Sequence, residues 1–254
     1  MTIWIAIIYG ILQGATEFLP VSSSGHLVLF NSIFGVECNF VFFSLLLHFA
    51  TLFAVFFVLR KQVFSLIKNP FCKKSLQLYL ATIPTILIVL LFNGFFKNAF
   101  GGQFLPICFL ITAFLLIIAE FLNKKQTKPL TTKTGLIMGI AQGIAVLPGI
   151  SRSGATICAG LFCGANRKDS TEFSFLMSIP IILASMCYEF FDCIKNGLPI
   201  FDTPIFETLI SFAFAFFVGV LCIKFMLKSL QKIKLYWFSI YLIALSVLSF
   251  LFVF

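Results

Sequence analysis

The chain has 254 residues, of which 60% are hydrophobic and 11% are charged, and its mean hydropathy is +1.08. This composition excludes an ordinary soluble domain and is typical of an integral membrane protein. A net charge of +9 can indicate nucleic-acid binding. Here the Lys and Arg residues form short clusters between apolar stretches, as cytoplasmic loops do, so we expect no nucleic-acid partner.

The first predicted element is an apolar segment over residues 1–35 that Pro, Gly and Ser interrupt in the middle. No basic segment precedes its apolar start and no small-residue cleavage site follows, so we expect it to stay in the mature chain. A broken segment of this kind predicts a re-entrant helical hairpin, which enters the membrane and returns to the same side.

Six later stretches are long and apolar enough to cross a bilayer as helices. They cover residues 38–59, 76–95, 103–122, 172–191, 206–224 and 235–254. A second broken apolar segment lies over residues 134–166 and predicts a second re-entrant hairpin. Fifteen of the eighteen basic residues lie in loops at 60–74, 123–133, 167–168 and 224–234. The positive-inside rule places these loops in the cytoplasm.

The loop charges also predict the direction of each hairpin. Basic loops flank the second hairpin on both sides, so it enters from the cytoplasm. The span after the first hairpin must deliver loop 60–74 to the cytoplasm, so the first hairpin enters from the outer face. Both chain termini are therefore predicted to lie outside.

The two broken segments are copies of one motif. Gln13 to Gly25 aligns without gaps on Gln142 to Gly154, with Gln, Gly, two Ser and the final Gly in common. We infer a duplication inside a single membrane domain of residues 1–254, with a first repeat over 1–122 and a second over 130–254. Each repeat has one hairpin and three spans, and three is odd, so the second repeat is inverted. The predicted fold class is an all-α integral membrane protein with an inverted-topology repeat, whose binding site forms near the midplane.

Glu17 and Arg152 are the first candidates for function, because a charge inside a bilayer is costly. They occupy nearly corresponding places in the two hairpins, and they can meet as a charge pair if the hairpins approach each other. A purely structural ion pair is the plainer alternative. More hydroxyl groups surround the two charges than a purely structural ion pair would need.

The first hairpin combines a pair of oxygen ligands with a helix start. Gln13 and Glu17 are four residues apart and share one helix face, which suits a hard cation or an oriented water. After Pro20, a polar run begins the returning helix, whose free N–H groups suit an anion. His26 can serve as base to a serine or as the nucleophile itself. Simple helix capping by the serines is the alternative.

The second hairpin repeats this pattern with an arginine. Its turn carries Ser151, Arg152, Ser153 and Gly154, and the planar guanidinium matches phosphate oxygens bidentately. Thr156, one helical turn further, adds a hydroxyl.

Three other polar residues are predicted to lie outside the site. His48, within a long apolar span, is interpreted as a hydrogen-bonded packing residue. Glu120 is expected to pair with Lys124 at the membrane interface. Glu189 lies near the outer end of its span.

At these residues the chain resembles the undecaprenyl-diphosphate phosphatase family, the bacitracin-resistance type of bacterial membrane phosphatase. The resemblance covers nearly the whole chain. It rests on two motifs in the expected order, Gln13-Gly-x-Thr-Glu-Phe-Leu-Pro-Val-Ser-Ser-Ser-Gly-His26 and Pro148-Gly-x-Ser-Arg-Ser-Gly154. It implies that Gln13 and Glu17 bind metal and that the catalytic residues are Glu17, Ser23, His26 and Arg152. The expected substrate-binding residues are Gln13, Ser22, Ser24, Ser151, Ser153, Gly154 and Thr156.

The resemblance implies hydrolysis of undecaprenyl or another polyprenyl pyrophosphate to the monophosphate and inorganic phosphate. This reaction recycles the carrier lipid of cell-wall synthesis in the bacterial cytoplasmic membrane. A divalent cation, Mg²⁺ or Ca²⁺, is the expected cofactor, and Gln13 in place of Glu weakens its binding. The expected partners are the lipid substrate and membrane lipid, and a homodimer is compatible with this prediction. The site is expected to open to the outer face.

Two alternatives stay open at this stage. Inverted repeats with broken helices are also a transporter design, so a lipid flippase or secondary transporter is the rival function. The Ser-Ser-Ser-Gly-His and Ser-Arg-Ser sequences favour an enzyme, because a transporter needs no nucleophile beside a base and an arginine. Within an enzyme, either Ser23 or His26 fits the role of nucleophile.

Overall fold

The structure is a computed structural model that describes residues 1–35, 40–122, 128–197, 203–229 and 232–253. Within these ranges all the regular elements are α-helices, twelve in number. They are α1 (Ile3–Thr16), α2 (Ser23–Phe34), α3 (Phe40–Val58), α4 (Arg60–Lys68), α5 (Lys73–Leu91), α6 (Asn93–Ala99), α7 (Leu105–Leu122), α8 (Thr132–Ile144), α9 (Arg152–Phe162), α10 (Arg167–Asn196), α11 (Ile205–Ser229) and α12 (Tyr236–Val253).

Five of these helices, α3, α5, α7, α10 and α11, are long and apolar enough to cross a membrane. They correspond to the first five predicted spans, so the prediction of an all-α, multi-pass membrane protein is confirmed. The sixth predicted span, 235–254, corresponds to α12, which is also apolar.

Two helix boundaries differ from the prediction for identifiable reasons. The span predicted over 172–191 is a longer helix, α10, because the side chain of Asn166 accepts a hydrogen bond from Asp169 N–H at 2.8 Å and starts the helix early. Gly197 ends it in the left-handed conformation, with φ of 65°. The predicted loop 60–74 contains the short helix α4, which buries Val63 against the core.

Four short helices form two hairpins around polar turns. The first hairpin is α1, the first tip (residues 17–22) and α2; the second is α8, the second tip (residues 145–151) and α9. The longest of the four has 14 residues. At about 1.5 Å per residue it reaches roughly 21 Å, which is less than the roughly 30 Å of a bilayer core. None of the four helices is therefore long enough to cross a bilayer core by itself.

The first helix of each hairpin packs against a long helix through glycines. Helix α1 lies on α11, and α8 lies on α5. The contact residues are Gly10 and Gly14 in α1, and Gly139 and Gly143 in α8, each pair one turn apart. A Cβ at Gly139 would lie 2.0 Å from the carbonyl oxygen of Ala81. Such small-xxx-small pairs let helix backbones approach closely in membranes, so the glycines fix the position of both hairpins.

We expect Gly139→Ala to lower the stability by about 1–3 kcal/mol, because overpacking a tight contact forces the two helices apart. The obstructing atom belongs to the backbone of α5 and cannot rotate away. Thermal unfolding in detergent measures the effect. Gly94→Ala is the matched control, since nothing lies within 4 Å of a Cβ at Gly94. Equal melting temperatures for the two variants would contradict this account of the packing.

Candidate functional site

The two tips contact each other directly. Gly149 N–H in the second tip donates a hydrogen bond to Ser22 Oγ in the first, at 3.1 Å. Ser153 Oγ–H, in the first turn of α9, donates to the carbonyl oxygen of Leu19 at 3.0 Å. These bonds join the hairpins where their helices begin and end, so polar groups from both meet in the protein interior.

Corresponding serines cap the two returning helices. Ser22 Oγ accepts from Gly25 N–H at 3.3 Å at the start of α2, and Ser151 Oγ accepts from Gly154 N–H at 3.0 Å at the start of α9. The capping interpretation therefore holds for these two residues. Ser22 has a φ of 68°, a conformation that costs a non-glycine residue about 1–3 kcal/mol. Its two accepted hydrogen bonds hold it there and place the next residue, Ser23, at the charged pair.

Glu17 is the centre of the cluster. One carboxylate oxygen, Oε1, pairs with Arg152 Nη2 across the two hairpins. The other, Oε2, accepts hydrogen bonds from Ser23 Oγ at 2.5 Å and Gln13 Nε2 at 3.1 Å. The Glu17 side chain is only 2% exposed. The ion pair and the hydrogen bonds offset the free-energy cost of burying the Glu17 carboxylate away from water.

His48 completes the cluster from α3. Its Nε2 lies 3.2 Å from Glu17 Oε2 and 3.4 Å from Ser23 Oγ. Its Nδ1 lies 2.8 Å from the carbonyl oxygen of Ser44, and a carbonyl can only accept, so Nδ1 carries a proton. His48 is hydrogen-bonded, as expected of a packing residue, and it also lies beside Glu17 and Ser23 at the cavity, which was not predicted. The residue spacing within one apolar segment does not indicate which other helices it packs against. It therefore could not predict that α3 passes the first tip.

His26 lies apart from these groups. Its Nδ1 is 2.7 Å from the carbonyl oxygen of Ser22, and its Nε2 is 2.7 Å from Tyr241 Oη on α12. Its ring also stacks on Tyr241, with centroids 5.7 Å apart. Both ring nitrogens therefore have partners, and the structure does not bring His26 together with Glu17 and Arg152.

A cavity of about 260 Å³ extends from the cluster. At its polar end it is lined by Glu17, Ser22, Ser23, Ser24, His48, Ser151 and Arg152. Its walls are apolar side chains of α5 and α10, among them Ile86, Val89, Leu90, Ile181 and Ile182. The arrangement suits a molecule with a charged head and a hydrocarbon tail.

Besides His26, four of the sequence-predicted residues lie outside the cavity lining. Gln13 is fully buried behind Glu17, and Gly154 belongs to the cap of α9. Ser153 bonds the first tip, and Thr156 Oγ1 lies 2.7 Å from Ser174 Oγ. These contacts fix the hairpins in place.

The far end of the cavity carries polar residues that the sequence did not indicate. It is lined by Asn93, Lys97, Tyr188 and Glu189. Lys97 Nζ lies 2.6 Å from Asp192 Oδ2, and this hydrogen bond raises the pKa of Lys97 above its usual value. Glu189 also lines this end of the cavity, although no site role was predicted for it.

Glu120 pairs with a residue other than the predicted one. Arg167 Nη2 donates to Glu120 Oε2 at 2.7 Å, and Leu235 N–H donates to the same oxygen at 2.8 Å. The predicted partner, Lys124, lies outside the described residues. Glu120 thus connects α7 with the start of α10 and the residue before α12.

Two buried polar atoms at the cluster have no hydrogen-bond partner among the described residues. They are Arg152 Nη1, a donor, and Gln13 Oε1, an acceptor. An unpaired buried polar group is costly, and such groups concentrate where a ligand completes the site. The donor suits an anion beside Ser23, and the acceptor suits a cation or a water beside Glu17.

Comparison with known proteins gives one consistent result. The model of the family described as bacitracin resistance protein BacA matches residues 6–248. The chain is 40% identical to the undecaprenyl-diphosphatase of Carboxydothermus hydrogenoformans, over 95% of this chain and 94% of the relative. It is 39% identical to that of Alkaliphilus metalliredigens, over 95% of each chain. For that of Treponema denticola the identity is 40%, over 97% of this chain and 96% of the relative.

We expect Glu17→Gln alone, or Arg152→Met alone, to cost about 3–5 kcal/mol, since each change leaves one buried charge without its partner. The double variant should lose less than the sum of the two. Thermal unfolding of all four proteins in detergent measures the coupling. Asp192→Asn is the control, because it breaks the more exposed pair with Lys97 and should lower the stability much less. A stability loss in the double variant that equals the sum of the two single losses would contradict the coupling.

Proposed function

The chain belongs to the bacitracin resistance protein BacA family, and we propose from this membership that it is an undecaprenyl-diphosphatase. It hydrolyses the lipid pyrophosphate to the monophosphate and inorganic phosphate, and so recycles the carrier lipid of cell-wall synthesis. The observation that carries the proposal is the convergence of Glu17, Ser23 and Arg152 at the polar end of one cavity. Two hairpins far apart in sequence supply these groups.

The cavity accommodates the two ends of such a substrate differently. The prenyl tail lies along the apolar walls from α5 and α10, and the pyrophosphate reaches the polar end. Arg152 uses Nη2 for Glu17 and has Nη1 without a partner, so it can bind a phosphate oxygen and keep its carboxylate partner. Phosphoryl transfer depends mainly on positioning and charge stabilisation, which a fixed guanidinium supplies.

Ser23 is the nucleophile in this proposal, and His26 is not. Ser23 Oγ lies at the cavity and already contacts Glu17. His26 is held between Ser22 and Tyr241, with both nitrogens occupied. A hydroxyl at the cavity is placed for attack on phosphorus, whereas His26 supports the position of α2 against α12.

A divalent cation, Mg²⁺ or Ca²⁺, is part of the proposal. Among the described residues no group of three His, Cys, Asp or Glu side chains could hold a metal ion. The buried Gln13 Oε1 lacks a partner and lies on the same helix face as Glu17, so these two residues fit a cation that the pyrophosphate also binds. When bound, the cation neutralises negative charge on the phosphates.

The proposal includes an inverted repeat with re-entrant hairpins. Corresponding helices have corresponding neighbours: α1 packs on α11 as α8 packs on α5, and α2 contacts α12 as α9 contacts α7. The paired glycines and the paired serine caps support the same relation. Re-entrance explains why the four hairpin helices are too short to span.

The cavity is proposed to open to the outer face, with both termini on that side. Helices α5 and α10 begin at basic residues, Lys73 and Arg167, which the positive-inside rule places in the cytoplasm. The end of the cavity away from the cluster lies at the opposite ends of these helices, at Asn93 and Tyr188. Substrate would therefore reach the cluster from outside.

Arg152→Lys tests the proposed site. The charge is kept but the planar fork is lost, so we expect turnover to fall on the order of a hundredfold. The assay is phosphate release from a polyprenyl pyrophosphate by purified protein, with melting temperature as the check on folding. Glu17→Gln should also abolish most activity.

The matched control for Glu17→Gln is Glu172→Gln, which makes the same chemical change in the Lys74 pair and outside the cavity lining. It should keep wild-type turnover. Near-normal activity of Arg152→Lys would remove Arg152 from catalysis, and an inactive wild-type protein in both detergent and lipid would overturn the proposed reaction.

Gln13→Glu tests the cation site. A second carboxylate beside Glu17 should lower the Mg²⁺ concentration needed for half-maximal activity, because divalent cations bind more tightly as ligand charge increases. The measurement is activity against Mg²⁺ concentration after removal of metal with a chelator. Gln142→Glu is the control, since it adds the same charge at the corresponding position of the second hairpin. An unchanged Mg²⁺ requirement in Gln13→Glu would contradict the assignment of Gln13.

A further inference from the structure

We infer that Tyr241 is a positioning residue for the nucleophile. Its hydroxyl fixes the ring of His26, and this ring fixes the peptide group that joins Ser22 to Ser23. The inference rests on the proposed function, in which Ser23 attacks phosphorus. Tyr241 lies on α12, outside both hairpins and outside the cavity lining. It therefore acts through contacts with the protein and not with the substrate.

Two hydrogen bonds and one ring contact connect Tyr241 with the first tip. His26 Nδ1 lies 2.7 Å from the carbonyl oxygen of Ser22, which can only accept, so Nδ1 carries a proton. In the neutral ring Nε2 is then an acceptor, and Tyr241 Oη–H donates to it at 2.7 Å. The two rings also stack, with their planes 11° apart. The stacking sets the plane of the imidazole, and the hydrogen bonds set its direction within that plane.

The direction of the His26 ring matters for Ser23 because of the carbonyl group that it holds. This carbonyl belongs to the planar peptide group between Ser22 and Ser23, so its direction determines how the Ser23 backbone is oriented. The backbone N–H of His26 reaches the same oxygen only at 3.2 Å, so the bond from the ring is the shorter of the two. The ring thus helps to place the Ser23 hydroxyl, which lies 2.5 Å from Glu17.

The strained backbone at Ser22 makes this support necessary. Its φ of 68° is a conformation that persists only where the surroundings hold it. Gly25 N–H and Gly149 N–H hold the side chain of Ser22, and the His26 ring holds its carbonyl group. Without a fixed ring, one side of this strained residue loses its restraint, and Ser23 follows it in the chain.

Helix α12 gives Tyr241 a fixed position. It packs against α7, and Ser246 Oγ–H, further along α12, donates to the carbonyl oxygen of Pro106 at 2.8 Å. Helix α7 also carries Thr112, whose Oγ1 accepts from Ser151 N–H in the second tip at 3.1 Å. The α7–α12 pair therefore holds both tips, so the nucleophile and the guanidinium have a common support.

The hydroxyl of Tyr241 contributes something that the ring alone cannot. An imidazole that only stacks can turn by 180° about its Cβ–Cγ bond and keep the same ring contact. With the hydroxyl present, that turn would place carbon atoms opposite both Tyr241 Oη and the Ser22 carbonyl oxygen, and both hydrogen bonds would be lost. The hydroxyl therefore selects the orientation in which His26 holds the first tip.

Tyr241→Phe tests the inference, because it removes the hydroxyl and keeps the stacked ring. We expect kcat in the phosphate-release assay to fall about tenfold, because a less precisely held nucleophile reacts more slowly. KM and the melting temperature should stay close to the wild-type values. Tyr236→Phe is the matched control, since it makes the same change at the start of the same helix, where the ring contacts Trp237 and Lys234. It should keep wild-type turnover.

His26→Asn shows whether Tyr241 acts through His26. The shorter amide can still donate to the Ser22 carbonyl oxygen but cannot reach Tyr241 Oη. We expect kcat to fall about as far as in Tyr241→Phe. The double variant should be no slower than His26→Asn alone, because both changes break the same hydrogen bond.

Three results would overturn the inference. The first is wild-type kcat in Tyr241→Phe, with or without a lower melting temperature. The second is a double variant whose loss equals the product of the two single losses, since Tyr241 would then act independently of His26. The third is a far larger loss in His26→Asn than in Tyr241→Phe, since His26 would then act on the substrate itself. A wild-type protein without activity would instead overturn the proposed function.

Discussion

The buried ion pair between Glu17 and Arg152 is the interaction on which the rest of the site depends. Both charges lie in a protein interior that the membrane keeps from bulk water, where an unpaired charge costs several kcal/mol. The pair can form only if the two tips meet. The requirement to pair the charges therefore favours arrangements of the hairpins in which the tips are in contact.

The close helix packing serves the same requirement. Lipid offers no hydrophobic force to press one apolar helix on another, so contact area decides which helices associate. Glycines in α1 and α8 increase that contact area because they let the helix backbones touch. A Cβ added at Gly14 would lie only 2.7 Å from the carbonyl oxygen of Ala215. The strained backbone at Ser22 and its bond to Gly149 then set the tips to within a hydrogen bond of each other. Helix packing thus determines where the two hairpins lie, and hydrogen bonds determine how their tips align with each other.

Much of this was predictable from sequence because it depends on local pattern. Hydropathy predicted six spans, five of which are long apolar helices in the structure, and the internal copy of Gln13–Gly25 predicted two tips with a charge in each. The position of His48 beside Glu17 could not be found this way, because it depends on which helix passes the first tip, and that is a matter of tertiary packing. For the same reason the sequence could not separate Ser23 from His26. Only the contact with Tyr241, 215 positions away, shows that His26 faces α12.

The alignment of the two hairpins explains how a symmetric scaffold can support an asymmetric reaction. The positions that build the scaffold are the same in both: the glutamine, the glycine pair, the capping serine and the final glycine. The positions that carry charge or chemistry differ. Ser23 corresponds to Arg152, and Glu17 corresponds to Val146. One hairpin thus supplies a hydroxyl and a carboxylate where the other supplies a guanidinium and an apolar side chain. The proposed reaction uses a nucleophile on one side of phosphorus and a positive charge beside it, and divergence at these positions supplies both, while the shared positions keep the two hairpins in contact.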